Sequence, residues 1–150
     1  MTFRLHAVRL SCALALAAGA ATAAHADDSA ALAAAAKEPG AIVTPSGLVF
    51  KSLVDGKGAR PTATSNVKVN YKGMFVNGNK FDASADHGGP ISFPLNRVIP
   101  CWTEGVQKLK VGGKARLTCP SAIAYGPAGA GSDIPPNTTL VFEVELLAVN

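Results

Sequence analysis

From Ala41 onward this chain consists of short apolar runs broken by glycine, proline and asparagine, and in three of them apolar residues fall at every second position. That period places successive side chains on opposite faces of an extended strand, so each run can bury one face and wet the other. "VKVNY" carries Val67, Val69 and Tyr71 in this way, and "ISFPL" carries Ile91, Phe93 and Leu95. In "TLVFEVELLAV", Leu140, Phe142, Val144 and Leu146 alternate with Glu143 and Glu145. Asn77-Gly78 is a hairpin signal, placed just before a returning strand through Phe81. "SGLVFKSLVDGKG" and "KARLTC" read as further strands. One short helix is convincing: Pro100 suits a first helical turn, and Trp102, Val106 and Leu109 repeat at i, i+4 and i+7 before Gly112-Gly113. The pattern implies an α+β domain, one antiparallel sheet with one face solvated and one helix packed on the other.

The first residues read as an export signal. "MTFRLHAVR" is a short basic segment, Leu10 to Ala24 is apolar and alanine-rich, and Ala24-His25-Ala26 has the small-x-small form of a cleavage site. The expected organisation is a signal peptide over 1–26, an alanine-rich tether or frayed helix over 27–43, and one folded domain over 44–150. The protein is then periplasmic or secreted, without stable membrane insertion once the signal is cut. Removal of 26 residues from 150 leaves 124, enough for one domain with a core. Of 14 Lys and Arg, Arg4 and Arg9 leave with the signal, so 12 face 10 acids and the mature charge is near +2. The basic residues are scattered, which argues against a nucleic-acid partner. Cys101 and Cys119 survive processing. An exported chain favours a disulfide between them, with two separate buried thiols as the alternative.

Several chemistries are excluded by motif. "VGGKAR" lacks the first glycine and the Ser/Thr of a phosphate loop, and neither G-x-G-x-x-G nor G-x-S-x-G occurs. No cofactor is expected. A metal site is poorly supported, because His87 is the only histidine left to join the two cysteines. His87 itself lies in the turn-like "ADHGGP" and reads as a solvated side chain. The absence of a C-x-x-C spacing weakens a redox role for the cysteines. What remains is an excess of aromatic and branched residues near loops: Tyr71, Phe81, Trp102, Tyr125 and Phe142, with Val98-Ile99 before the helix and Ile134 inside the long Gly/Pro loop. Tyr125, between Ala124 and Gly126, has a hydroxyl that needs a partner.

Four stretches carry a resemblance. "VNYKGMFVNGNKFDAS", "VIPCWTEGVQKLKVGGKARL", "AIAYG" and "IPPNTTLVFEVELL" are similar, in order and spacing, to the FKBP-type peptidyl-prolyl cis-trans isomerases, over about Thr44 to Val149. The upstream "TPSGLVFKSLVDGKGARPTATS" resembles the exported bacterial members related to the macrophage infectivity potentiators. The resemblance implies a twisted antiparallel sheet of five to six strands curled around one short α-helix. It implies a pocket for proline floored by Trp102 and walled by Tyr71, Phe81, Ile91, Val98, Ile99 and Phe142. Asp82 takes the place of the pocket aspartate, Tyr125 that of the tyrosine binding a carbonyl, and Ile134 that of the apolar residue over the pocket. Asp82, Tyr125 and Trp102 are thereby the expected catalytic residues. The implied partners are Xaa-Pro segments of unfolded or partly folded proteins and the family's macrolide inhibitors. Only about 14 residues precede the domain where the exported members carry a long dimerisation arm, so a monomer is expected. Cys101 replaces a residue that is usually glycine, Cys119 takes an apolar position, and Asp133 and Ala130 depart from the pattern near the pocket loop. A binding or chaperone module with little turnover is the alternative function.

Overall fold

The computed structural model describes residues 20–150, with side chains from Asp28 onward. The first 19 residues of the expected signal peptide therefore lie outside the described residues. A helix, α1 (Ala20–Ala36), leads into seven strands: β1 (Ala41–Val43), β2 (Val49–Val54), β3 (Asn66–Phe75), β4 (Lys80–Ala83), β5 (Ile91–Pro94), β6 (Lys114–Cys119) and β7 (Leu140–Val149). The second helix, α2 (Pro100–Val106), lies between β5 and β6. All pairings are antiparallel, in the order β1-β2-β6-β7-β3-β4, and β5 also pairs with β3. Thus β3 gives one edge to β7 and shares the other between β5 at its start and β4 at its end.

The period-two pattern is borne out in β3, β5 and β7, whereas β2 buries Val49 and Phe50 in succession and leaves Leu53 and Val54 exposed. In β7, Leu140, Phe142, Val144 and Leu146 are buried while Glu143 and Glu145 stand on the other, wetter face. The hairpin between β3 and β4 turns at Asn77-Gly78, where Gly78 adopts φ +88°. The Asn77 side chain accepts the Asn79 N–H at 2.9 Å, and Phe75 N–H and Asn79 C=O close the turn at 2.9 Å. The sheet has seven strands where five to six were expected. The additional one is β1, three residues that pair with β2 and are too short to carry a periodic signal.

The helix α2 places Trp102 and Val106 on the sheet's dry face, among Leu48, Val67, Val69, Leu117, Leu140 and Val144. It stops at Val106, although Leu109 continues its apolar stripe and is buried. The chain tightens there into i→i+3 bonds, from Lys108 N–H to Gly105 C=O and from Leu109 N–H to Val106 C=O, both 3.1 Å. Gly105 costs helix propensity but lets α2 approach β6: a Cβ there would lie 2.8 Å from Leu117 methyl groups.

The segment expected as a tether contains the end of α1 and all of β1, and besides the β1–β2 pairing two side chains hold it. Asp28 accepts the Thr139 N–H at 3.0 Å. Glu38 pairs with Lys51 at 2.7 Å and Arg116 at 3.3 Å, and the Lys51 contact above all holds its carboxyl below the ordinary value. No helix among the described residues is long and apolar enough to cross a membrane.

Candidate active site

The floor of the site comes from the first turn of α2. Ile99 is extended and Pro100 opens the helix, so Trp102 enters the core two residues later, only 6% exposed. Three rings pack on its indole. Tyr71 (centroids 5.2 Å, 75° between planes) and Phe142 (5.3 Å, 90°) meet it edge to face, and Phe93 is tilted at 5.5 Å. Such edge contacts suit the aromatic quadrupole and hold the rings in one arrangement. Phe81 stands edge-on to Phe142 at 5.7 Å. Both depend on Gly73 of β3, because a Cβ there would come within 2.6 Å of Phe81 and 3.0 Å of Phe142.

These rings enclose a cavity of about 590 Å³, completed by Ile91, Val98 and Ile99 and edged by Asp82, Arg97 and Tyr125. The size suits a small apolar group such as a prolyl ring with its neighbours. Asp82 is the hub of a connected set of hydrogen bonds. Tyr71 donates its hydroxyl to Asp82 Oδ2 at 2.7 Å, and the Ala83 N–H donates to Asp82 Oδ1 at 2.9 Å. His87 Nε2 also lies 2.7 Å from Oδ1. The turn Ser84–His87 brings this histidine back, with Ser84 Oγ accepting the Tyr71 N–H at 3.1 Å and Gly88 ending the turn at φ +92°. Burial works to raise the Asp82 carboxyl, but the Tyr71, His87 and Ala83 hydrogen bonds outweigh it and hold the carboxyl below its ordinary value. Burial, and then the Asp82 charge, push the Tyr71 hydroxyl well above its usual range. Tyr125, at the rim and 39% exposed, is raised by partial burial and by Asp82. Both hydroxyls are therefore neutral donors at physiological pH.

Nine of the ten pocket residues expected from the sequence line this cavity: Tyr71, Phe81, Asp82, Ile91, Val98, Ile99, Trp102, Tyr125 and Phe142. Ile134 does not. Its backbone pairs with Ala130 in both directions (2.9 and 3.1 Å), which folds the loop tip and buries the side chain, 4% exposed, in the core. Phe93 and Arg97 line the cavity without having been expected there. Phe93 shares the alternation of Ile91, a usable signal, whereas nothing periodic marks Arg97. Cys101 and Cys119 are bonded to each other and fully buried, with Cα atoms 5.9 Å apart, tying the start of α2 to the end of β6. Among the described residues no three His, Cys, Asp or Glu side chains cluster as metal ligands.

A family model described as FKBP-type peptidyl-prolyl cis-trans isomerase matches residues 57–147. The chain belongs to that family. The FKBP-type isomerase FkpA of Aeromonas hydrophila is 55% identical over 118 residues, which are 79% of this chain and 44% of that protein. The chain spans about half the length of the curated FKBP-type relatives it matches. Among solved structures, FkpA from Escherichia coli superposes with a TM-score of 0.82 at 45% identity, covering 87% of this chain and 61% of that one. A peptidyl-prolyl cis-trans isomerase from Pseudomonas syringae superposes with a TM-score of 0.79 at 39% identity, covering 86% and 95%. The matched segment takes in β3 to β6 and most of β7, and α1, β1 and β2 lie ahead of it.

Proposed function

We propose that this protein catalyses rotation about Xaa-Pro bonds in exported proteins as they fold, with Trp102 as the pocket floor and Asp82 and Tyr125 as its polar machinery. The observation that carries the reading is a cavity built on one indole with three rings packed against it, lined mostly by apolar side chains and by few polar ones, Asp82, Arg97 and Tyr125.

Rotation of the prolyl amide crosses a barrier of about 18–20 kcal/mol, because resonance must be broken. The planar amide is charge-separated and water stabilises it, while the twisted state has lost much of that separation. Moving the bond from water into an apolar pocket therefore disfavours the ground state more than the transition state. Trp102, Tyr71, Phe93 and Phe142 supply that surface. The Tyr125 hydroxyl donates to a substrate carbonyl at the rim and fixes the bond's orientation. Asp82 positions Tyr71, and its negative charge faces the twisting amide. Lowering the barrier by about 5–6 kcal/mol accelerates rotation about 10⁴-fold.

Export is supported by the signal-like segment over residues 1–26 and by the buried disulfide, a bond that persists in oxidising compartments. The same pocket geometry supports Ile91, Val98, Ile99, Phe81 and Phe142 as the walls that receive proline and supports competition by the family's macrolide inhibitors.

The reading is tested on the refolding of a protein whose slow phase is limited by proline isomerisation. The protein should shorten that phase at substoichiometric amounts, and Tyr125→Phe should retain a fraction of the effect. Suppressed aggregation with an unchanged slow phase would instead mark a binding module. A pH profile checks the Asp82 arrangement. Because its carboxyl titrates below the ordinary aspartate value, activity should hold as pH falls towards about 4 and decline below it. His87→Ala removes one of the groups that lower it, so the decline should begin at higher pH. Superimposable profiles would show that His87 does not act through Asp82.

A further inference from the structure

We propose that a cationic strip leading out of the proline pocket along α2 binds acidic residues of the substrate next to its proline. This rests on the isomerase reading. Arg97 edges the pocket itself. Val98, its neighbour, is also a wall of a second, shallower groove of about 650 Å³ that contains Arg60 and Lys108. Arg60 and Lys108 also line a third depression, of about 390 Å³, together with Lys110. The three hollows are thus contiguous, and an extended chain leaving the prolyl site over Val98 passes along four cations in turn.

The carboxylates on this path, Glu104, Asp55 and Asp82 in the pocket, are fewer than the cations and keep their charge, with the hydrogen bonds they accept fixing where they point. Glu104 accepts the Ser46 hydroxyl at 2.5 Å, and Asp55 accepts the Ser52 hydroxyl at 2.7 Å. In the pocket, Asp82 is held by Tyr71, Ala83 and His87. Arg60, Arg97, Lys108 and Lys110 are exposed, and none forms an ion pair among the described residues. The strip therefore carries an excess of positive charge beside an apolar site, complementary to a proline segment flanked by aspartate or glutamate. Exposed pairs are individually weak, so each should change binding by about two- to five-fold and be screened by salt. They touch residues that do not react, so the effect belongs in KM.

The experiment compares peptides with leucine before the proline and Glu, Gln or Lys at the flanking positions, reading kcat/KM at low and high salt. The expected order is Glu above Gln above Lys, with about ten-fold between the extremes at low salt, carried by KM and lost at about 0.5 M salt. The Arg60→Gln, Lys108→Gln double variant should flatten the order, read as the ratio between peptides on the same folded protein. Equal kcat/KM for all three peptides in the wild type would overturn the subsite, and so would an order that persists unchanged in the double variant. Absence of turnover on every peptide would overturn the isomerase reading instead.

Discussion

Replacing Trp102 with alanine should lower kcat/KM towards Xaa-Pro peptides by about 100-fold or more, equivalent to roughly 2.7 kcal/mol of transition-state stabilisation. The indole is the surface on which Tyr71, Phe93 and Phe142 converge, at centroid distances of 5.2 to 5.5 Å. Without it those rings lose their common partner and water reaches the amide that the pocket is built to keep dry. The same change removes a large buried side chain and should cost about 3–5 kcal/mol of stability. Circular dichroism must therefore show that the variant remains folded at the assay temperature. Trp102→Phe separates the two effects. The indole N–H is buried and has no acceptor among the described residues, so phenylalanine forfeits no hydrogen bond and keeps an aromatic floor. It should lose no more than about ten-fold in rate. Equal losses for alanine and phenylalanine would mean that the ring itself is not what the reaction uses.

The second large effect is on stability. The Cys101–Cys119 bond closes a loop of 18 residues, worth about 3 kcal/mol in the chain-entropy model. For a domain of this size that corresponds to about 12 °C in Tm. Reduction, or the Cys101→Ala, Cys119→Ala double variant, should lower Tm by about that amount. Activity at 25 °C should persist, because neither cysteine lines the pocket. The bond braces the start of α2 one residue from the pocket floor, so its loss acts first on how long the floor survives heating. A thermal scan that does not move under reductant would show that the brace contributes nothing.

The parts of this molecule legible in its sequence are those where burial imposes a period. β3, β5 and β7 each wet one face and dry the other, and α2 carries its apolar residues on one stripe. Nine of the ten pocket residues were reachable because family motifs fix their order along those same elements. What was not legible depends on contacts made across the fold. α1 has alanine on every side and no stripe, so its anchoring through Asp28 and Glu38 becomes apparent only with the sheet in place. β1 is three residues long and exists by pairing with β2. His87 reads as a solvated loop side chain, and more than half of it is exposed. The short turn that follows β4 nevertheless returns its ring to Asp82, five residues back. Ile134 went the other way: a backbone bridge within its own loop turned an expected pocket residue into core. The cysteine pairing was one of two readings until β6 and α2 were seen to bring the Cα atoms to 5.9 Å.

Exchange NMR spectroscopy on a short Leu-Pro peptide tests the proposed activity most directly, because it reads the cis-trans rate without coupling to folding or proteolysis. Uncatalysed exchange takes tens of seconds. With catalytic amounts of the folded protein, cis and trans signals should exchange orders of magnitude faster, and Trp102→Ala should remove most of that gain. Exchange no faster than that of the peptide alone, beside a protein whose dichroism shows it intact, would contradict the proposal that this pocket turns prolyl bonds.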